Sequence, residues 1–188
     1  AAVVTERTRL VATTAASNLI CTKPPVCHIS RLAHEGGALH WVAGVHATAH
    51  ASVDIVALDA DVWTCSPYKF MGPHCGVLAA SPDLLETLHP DKLLPSTNDV
   101  PERFEFGTLP YEALAGATAA VDFIAGLAES SEDDDTASGT RRERIEASMK
   151  AVHAHERALL DVLEPALRGL HGVTVHSNAA KRTPTLLF

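Results

Sequence analysis

The stretch that decides the fold is Asp61-Val62-Trp63-Thr64-Cys65-Ser66-Pro67-Tyr68-Lys69-Phe70-Met71-Gly72-Pro73-His74. Residues 62–65 predict a short buried β-strand, because apolar and β-branched side chains follow one another without a helical period. Lys69 comes just after this strand, next to the hydroxyl groups of Ser66 and Tyr68. An amine in a partly desolvated pocket has a lowered pKa, which suits it to Schiff-base chemistry. Composition alone favours the alternative, a surface lysine in a loop.

Further strands and helices alternate on both sides of this stretch. The predicted strands cover residues 10–15, 38–42, 62–65 and 76–80, and the first is expected to be buried on both faces. Helical segments are predicted at 26–34 and 82–88, with a helical turn at 54–58. Such alternation indicates βαβ units and a largely parallel sheet, in which ligands bind where the strands end. The loops after Ala15, Val42 and Cys65 are therefore the expected site.

The second half of the sequence predicts two long helices and a small unit of mixed structure. Each helix is recognised by apolar residues at helical spacing, and Pro165 is expected to kink or end the second one. Residues 173–175 and 185–188 are predicted as strands. The predicted divisions are 1–128 (a large domain), 129–140 (an acidic loop) and 141–188 (a connecting helix and the start of a small α+β domain). The helix faces are Tyr111, Leu114, Thr118, Val121 and Ile124, and Ile145, Met149, Val152, Leu159 and Leu163.

Composition limits the possible function classes. The 188 residues are 46% hydrophobic and carry 15 Lys+Arg against 23 Asp+Glu, a formal net charge of -8. No basic stripe and no bilayer-length apolar run is present, so we expect neither nucleic-acid nor membrane partners. The four cysteines match neither a zinc pattern nor a disulfide framework, which favours a reduced cytoplasmic location. His46 and His50 are spaced to share a metal only if their segment is helical, and we expect no metal site.

Four ordered motifs resemble the class V aminotransferase and cysteine desulfurase-like family of pyridoxal-phosphate enzymes. Residues 61–74 look like the cofactor-lysine signature, and residues 10–22 resemble a strand that ends in Ser-Asn and a Gly-Thr turn. Residues 41–54 resemble the strand and loop under the cofactor ring, and 104–108 the Phe-Glu-x-Gly-Thr turn. The resemblance implies an α/β fold: part of the large domain of a fold-type I transferase, with a mostly parallel sheet and flanking helices, and the start of a small α+β C-terminal domain.

The resemblance also implies roles for the residues around the lysine. Lys69 would form the internal aldimine with pyridoxal 5'-phosphate and carry the α-proton of an amino-acid substrate. Ser66 and Tyr68 would bind the cofactor phosphate. His46 stands where a Gln or His contacts the phenolic oxygen of the cofactor.

Two more residues receive roles in the same way. Asn18 would line the substrate side of the ring, and Thr108 would reach the phosphate in the neighbouring subunit, which implies a homodimer with shared sites. Each has an ordinary structural alternative: a loop hydrogen bond for Asn18 and a turn cap for Thr108.

Two departures from the family pattern bear on activity. Ala43 stands where the family has the aspartate that keeps the pyridine nitrogen protonated, and alanine cannot supply that charge. Cys21 stands where a glycine precedes Thr22, so its Cβ strains a turn that requires positive φ.

Three functions remain open at this point. The first is a pyridoxal-phosphate lyase or transferase acting on an amino acid, for which carbon–sulfur cleavage is the best-known chemistry of the family. The second is a truncated or degenerate relative without catalysis, and the third is a racemase resembling isopenicillin N epimerase. The first residue, Ala1, is followed almost at once by a predicted strand, so we expect upstream sequence to be missing. We also expect exposed apolar edges and poor solubility for this chain alone.

Overall fold

The computed structural model describes residues 3–130 and 139–188, except for the side chains of residues 129 and 130. The strands and helices alternate along the first half of the chain, and two long helices follow. Single-turn 3-10 helices lie at Ala47–Ala49, Pro67–Phe70, Glu102–Phe104 and Leu127–Ser130. The regular elements are β1 (Leu10–Thr14), α1 (Val26–Glu35), β2 (Leu39–Ala43), β3 (Val62–Cys65), β4 (Val77–Ala80), α2 (Pro82–Thr87), α3 (Tyr111–Ala125) and α4 (Arg141–Arg168).

The four strands form one sheet in the order β1-β2-β3-β4. The first three strands are parallel, with Thr14 opposite Ala43 and Ala43 opposite Thr64, whereas β4 runs antiparallel to β3. The mostly parallel α/β sheet predicted from sequence is confirmed. Because parallel strands end at the same edge, the loops after β1, β2 and β3 leave the sheet together.

The first strand differs from its prediction. It was expected to be buried on both faces, yet Leu10, Ala12 and Thr14 are exposed. The exposed residues alternate with half-buried Val11 and Thr13, so one face of this edge strand is uncovered in the described part of the chain. Burial on two faces is instead seen at the start of β3, where Val62 and Trp63 are only 4% and 5% exposed.

One hydrophobic core lies between the sheet, α1 and the loop after β2. Helix α1 contributes Val26, while β2 and β3 contribute Val42 and Trp63. On the same helix Ser30 is fully buried, and its hydroxyl lies 2.8 Å from Nδ1 of the buried His40 in β2. Buried polar groups thus find partners where α1 crosses the sheet.

A second core joins α3 and α4 to the loop after β3. Phe70 from that loop packs with Ile124 of α3 and Met149 of α4. Thr140 begins α4 with a capping box, since its hydroxyl accepts from the backbone of Glu143 and the Glu143 carboxylate accepts in return. The helix continues through Pro165 to Arg168, so it does not end at this residue, and the alternative expectation of a kink at Pro165 stays a prediction.

The apolar faces of both long helices are only partly buried. In α3, Ile124 is buried but Tyr111 and Leu114 are exposed, and in α4 Leu159 and Leu163 are 57% and 52% exposed. The periodic patterns predicted the helices correctly and their burial incorrectly. Ile124 and Met149 are buried because they pack together in the second core.

The C-terminal segment is irregular, so the predicted strands at 173–175 and 185–188 are wrong. Next to these positions, the His176 backbone N–H donates to the Leu187 carbonyl at 2.8 Å, and the Leu187 N–H donates to the Ser177 hydroxyl at 2.9 Å. The segment packs instead beside residues 21–23, with one isolated antiparallel bridge between Thr22 and Arg182. The predicted acidic loop lies largely outside the described residues, and the division into domains stays a prediction.

Candidate active site

The loop after β3 presents Lys69 at the carboxyl edge of the sheet. It forms one turn of 3-10 helix, in which residues three apart share a face. Pro67 and Phe70 are therefore buried together, while Tyr68 and Lys69 point outwards and are exposed. Gly72 closes the turn with a hydrogen bond to the Pro67 carbonyl at 2.8 Å.

Aromatic contacts surround the lysine on one side. The ring of Tyr68 stacks on His74, with centroids 4.8 Å apart and planes 12° from parallel. The Lys69 Nζ lies 5.1 Å from the centroid of the same tyrosine ring. Lys69 itself is exposed, so the partly desolvated pocket expected from the sequence is wrong for the described chain. The cause is that the buried residues of this turn, Pro67 and Phe70, face the opposite way.

The loop after β2 brings His46 towards the lysine. The His46 Nε2 lies 3.0 Å from the hydroxyl oxygens of both Thr183 and Thr185. Burial lowers the pKa of His46 below its ordinary value of 6.5, and the positive charges of His50 and Lys69 lower it further. The positive charge of Lys69 thus acts on His46, and the expectation that the two residues share one cofactor site stays a prediction.

A second histidine links this loop to α4. The rings of His46 and His50 meet edge to face, with centroids 4.7 Å apart. The His50 Nδ1 lies 2.8 Å from Oε1 of Glu156 in α4, and the other carboxylate oxygen of Glu156 is buried without a hydrogen-bond partner. No group of three or more His, Cys, Asp or Glu side chains within residues 3–130 and 139–188 is arranged to hold a metal ion.

Ser66 and Ala43 lie at neighbouring strand ends. Ser66 is half-buried and lines a cavity of about 530 Å³, together with Val45 from the loop after β2. Ala43 is the last residue of β2 and pairs with Thr64 of β3, so its methyl group stands at the carboxyl edge of the sheet. This strand end therefore carries a methyl group and no carboxylate.

The loop after β1 carries Asn18 and the strained Cys21. Asn18 is exposed, and the backbone N–H groups of Leu19 and Ile20 donate to the hydroxyl of Ser17. Cys21 is fully buried and has a φ of 64°, the left-handed conformation that favours glycine. The strain expected at Cys21 from the sequence is confirmed.

Thr108 lies apart from the other predicted site residues. It is exposed and lines a different cavity, of about 380 Å³, beside Leu93 and Thr97. None of Lys69, Ser66, Tyr68, His46 and Asn18 lines that cavity. Within one chain the structure therefore does not join Thr108 to the lysine.

Four residues at the site were not singled out from the sequence: His74, Glu156, Thr183 and Thr185. The two threonines are separated by one residue, a spacing that puts side chains on one side of an extended segment. That signal is weak, because their partner His46 is 137 residues away from Thr183. In the described part of the chain, no helix combines the length and apolarity needed to cross a bilayer.

Comparisons with known proteins agree with this arrangement. A cysteine desulfurase of Dickeya dadantii is 37% identical over 139 residues, which cover 67% of this chain and 34% of that protein. An uncharacterised protein of Mycobacterium tuberculosis is 29% identical over 186 residues, covering 98% of this chain and 45% of that protein. The chain therefore spans less than half the length of these relatives.

Solved structures show the same fold. The cysteine desulfurase CsdA of Escherichia coli superposes with a TM-score of 0.75 at 24% identity, covering 96% of this chain and 43% of that chain. A cysteine desulfurase of Thermococcus onnurineus NA1 gives a TM-score of 0.75 at 23% identity, with 95% and 43% covered. At these identities the likeness concerns the fold alone. The model of the aminotransferase class-V family matches residues 1–188, the whole length, and the chain belongs to that family.

Proposed function

We propose that this chain is part of a pyridoxal-phosphate-dependent lyase or transferase of the cysteine desulfurase-like type, which acts on an amino acid. The observation that carries the proposal is the position of Lys69 at the carboxyl edge of the sheet, beside Tyr68 and within electrostatic reach of His46. Parallel α/β sheets bind their ligands at this edge. The family to which the chain belongs supports the same choice of cofactor.

The donor groups of the turn suit the phosphate and aldehyde groups of the cofactor. The hydroxyl groups of Ser66 and Tyr68 and the Lys69 amine make no hydrogen bond to other described residues. They are therefore available to an anionic phosphate and to a carbonyl carbon. The hydroxyls of Ser66 and Tyr68 would hold the phosphate, and Lys69 would be the attachment residue.

The fit is incomplete at the pyridine nitrogen. Bound pyridoxal phosphate withdraws electrons from the α-carbon of an amino acid, and a carboxylate beside its nitrogen strengthens that effect. Ala43 offers only a methyl group. This single observation favours a second candidate function, a non-catalytic relative that retains the fold and binds the cofactor.

Each of the predicted site residues would have a separate role. Lys69 would take and return the α-proton of the amino acid, because it is the base at the carboxyl edge of the sheet. His46, held neutral by its lowered pKa, would contact the phenolic oxygen, and the exposed Asn18 would face the substrate. Thr108 would serve the site of a second copy in a homodimer, which agrees with its separation from Lys69 in one chain. Four free cysteines support a reduced, cytoplasmic setting.

The experiment that tests the function is α-proton exchange. The chain is loaded with pyridoxal phosphate in D₂O and incubated with single amino acids, cysteine first, and proton NMR follows loss of the α-proton. We expect exchange above that of free pyridoxal phosphate, and we expect the Lys69→Ala variant to fall to the level of the free cofactor. A matched control is Lys92→Ala. In the unaltered chain the Lys92 amine donates to the Ser96 carbonyl, and neither residue belongs to the turn that carries Lys69. Cofactor binding without exchange would reject catalysis and leave the second candidate.

A further inference from the structure

A cavity with a basic lining lies between residues 23–25, helix α4 and the C-terminal segment. Its volume is about 370 Å³, which is within the range of small-molecule sites. Glu156 is the one acidic residue of its described lining, and the other residues that ionise there are basic. The local charge is therefore opposite in sign to that of the whole chain, whose formal net charge is -8. The basic residues are Lys23, His153, Arg157, Lys181 and Arg182.

Lys23 and Lys181 face each other across a short antiparallel contact. The Lys23 N–H donates to the Lys181 carbonyl at 2.9 Å, and the adjacent residues Thr22 and Arg182 form the isolated bridge. This register places the two lysines directly opposite each other, and both line the cavity. Like charges at opposite positions of an antiparallel pair repel each other. In the described part of the chain, no side chain forms a hydrogen bond or an ion pair with either amine.

The two arginines of the cavity, in contrast, have acidic partners. The Arg157 Nε lies 2.9 Å from Oδ1 of Asp161 in the next turn of α4. Arg182 forms an ion pair with Glu164, and its guanidinium also donates to the Ser177 carbonyl at 2.7 Å. The positive charge that is not offset by a neighbouring carboxylate therefore belongs to the two lysines.

Glu156 does not offset the charge of the lysines inside the cavity. Its Oε1 lies 2.8 Å from Nδ1 of His50, which lies in the loop after β2. Its Oε2 is buried, so a ligand in the cavity has no access to that oxygen. An anionic ligand therefore meets the lysine amines without meeting a free carboxylate oxygen.

Apolar groups line the cavity beside the lysines. Pro24 and Pro184 are half-buried, and Leu160 of α4 is 6% exposed. Proline restricts its own φ, so the two segments that carry the lysines are stiffened next to the cavity. An inorganic ion would leave this apolar surface in contact with water, whereas the organic part of a larger anion would cover it.

We propose that this cavity binds a small organic phosphate ester, with the amines of Lys23 and Lys181 donating to the phosphate oxygens and the organic group packing against the proline rings and Leu160. Hydrogen bonds from an ammonium group to a phosphate are charge-assisted and strong. A dianion between the two lysines also removes their mutual repulsion. No residue of the turn that carries Lys69 lines this cavity, so the site does not depend on the proposed function.

Ligand-observed ³¹P NMR measures the binding, since it follows the ligand even when the protein self-associates. Inorganic phosphate and phenyl phosphate are titrated separately with the unaltered chain and with the Lys23→Met/Lys181→Met variant, which keeps the length of both side chains and removes their charge. We expect this variant to bind phenyl phosphate at least about tenfold more weakly, the effect of losing a hydrogen bond between charged groups. The matched control, Arg7→Met/Arg31→Met, removes two positive charges that do not line the cavity and should bind like the unaltered chain.

A further variant separates this cavity from the turn that carries Lys69. Ser66→Ala/Tyr68→Phe removes the two hydroxyls of that turn and should keep the affinity of the unaltered chain for phenyl phosphate. Loss of affinity in this variant, with full affinity in Lys23→Met/Lys181→Met, would overturn the proposal because the phosphate would then bind at the turn. Equal affinity of the unaltered chain for phenyl phosphate and inorganic phosphate would overturn the choice of an ester and assign the site to free phosphate.

Urea unfolding without phosphate checks the structural effect of the methionine variant. Because the substitutions remove two like charges that face each other, we expect Lys23→Met/Lys181→Met to be at least as stable as the unaltered chain. A clear loss of stability would show that the amines have partners within the protein and would overturn the proposal. Failure of the unaltered chain to bind either phosphate compound overturns it whether or not any variant folds.

Discussion

Gly44 allows the loop after β2 to pass directly over the indole of Trp63. A Cβ at Gly44 would lie 2.0 Å from Cε2 of Trp63, far closer than non-bonded carbons approach. The Gly44 N–H also donates to the Thr64 carbonyl at 2.7 Å, which extends the pairing of β2 and β3 into the loop. The position of His46, two residues later, depends on this approach.

The first prediction concerns the close contact between the backbone at Gly44 and the indole of Trp63. Gly44→Ala should lower the free energy of unfolding by about 1–3 kcal/mol, because the methyl group forces Trp63 or the loop to move. Urea unfolding followed by tryptophan fluorescence measures the change. Gly76→Ala is the matched control, since a Cβ there has no neighbour within 4 Å. Equal losses in the two variants would show that the packing at Trp63 is not the cause.

The second prediction concerns Ala43 at the end of β2. Ala43→Asp places a carboxylate at the carboxyl edge of the sheet, where the family resemblance predicts one. We expect α-proton exchange by the cofactor-loaded chain to rise at least tenfold, which corresponds to about 1.4 kcal/mol of barrier. Ala43→Asn matches the size without the charge and should give no rise. A similar rise in both variants would exclude the charge as the cause.

Among the elements, α1 and β3 are joined by an ion pair at the amino edge of the sheet. The His34 Nε2 near the end of α1 lies 2.8 Å from Asp61, which immediately precedes β3. Its Nδ1 lies 3.3 Å from Asp59. The hydrogen bond with Asp61 raises the pKa of His34 above its ordinary value of 6.5, and the charges of both aspartates add to this rise.

The third prediction is the pH dependence of this link. A raised pKa in the folded chain means that His34 contributes its full stabilisation below about pH 6.5, where it is charged in both states. The contribution falls as pH rises through the raised folded pKa. We therefore expect the loss of stability in His34→Gln to be largest at acid pH and to shrink towards alkaline pH in urea titrations. In an Asp61→Asn background the loss should be smaller, and a loss that grows with pH would contradict the assignment.

At this scale the sequence predicted most of the elements. The strand at 62–65, the helix predicted at 82–88 and both long helices follow from local patterns, and local patterns act over a few residues. Burial could not be predicted in the same way. The exposure of β1 depends on its place in the sheet, and the contact between His46 and Thr183 joins residues 137 apart in the chain.

For the site, the lysine turn was predictable and its surroundings were not. The residues next to Lys69 in sequence include its neighbours in space, such as Tyr68. The exposure of Lys69 arises from the burial of Pro67 and Phe70 beneath the turn, which the sequence does not specify. Backbone strain was predicted at Cys21, which stands in place of a glycine. The prediction was correct because the turn fixes φ at this residue.

For the whole molecule, the fourth prediction is self-association of this chain when it is isolated. Leu159, Val162 and Leu163 of α4 are 57%, 74% and 52% exposed, and β1 has a free edge in the described part of the chain. Adjacent apolar surface and unpaired strand edges both promote aggregation. Light scattering after gel filtration should show large species, and Val162→Lys should reduce them. Monodisperse, cooperatively unfolding material would contradict this prediction.

The central claim is that Lys69 is the attachment residue for pyridoxal phosphate, and an absorption spectrum tests it most directly. Pyridoxal phosphate is titrated into the unaltered chain and into Lys69→Ala, with Lys92→Ala as the control for non-specific reaction at lysine. We predict a visible absorption band in the unaltered chain and in Lys92→Ala, and no such band in Lys69→Ala. A band of equal strength in Lys69→Ala, or no band in the unaltered chain, would contradict the claim.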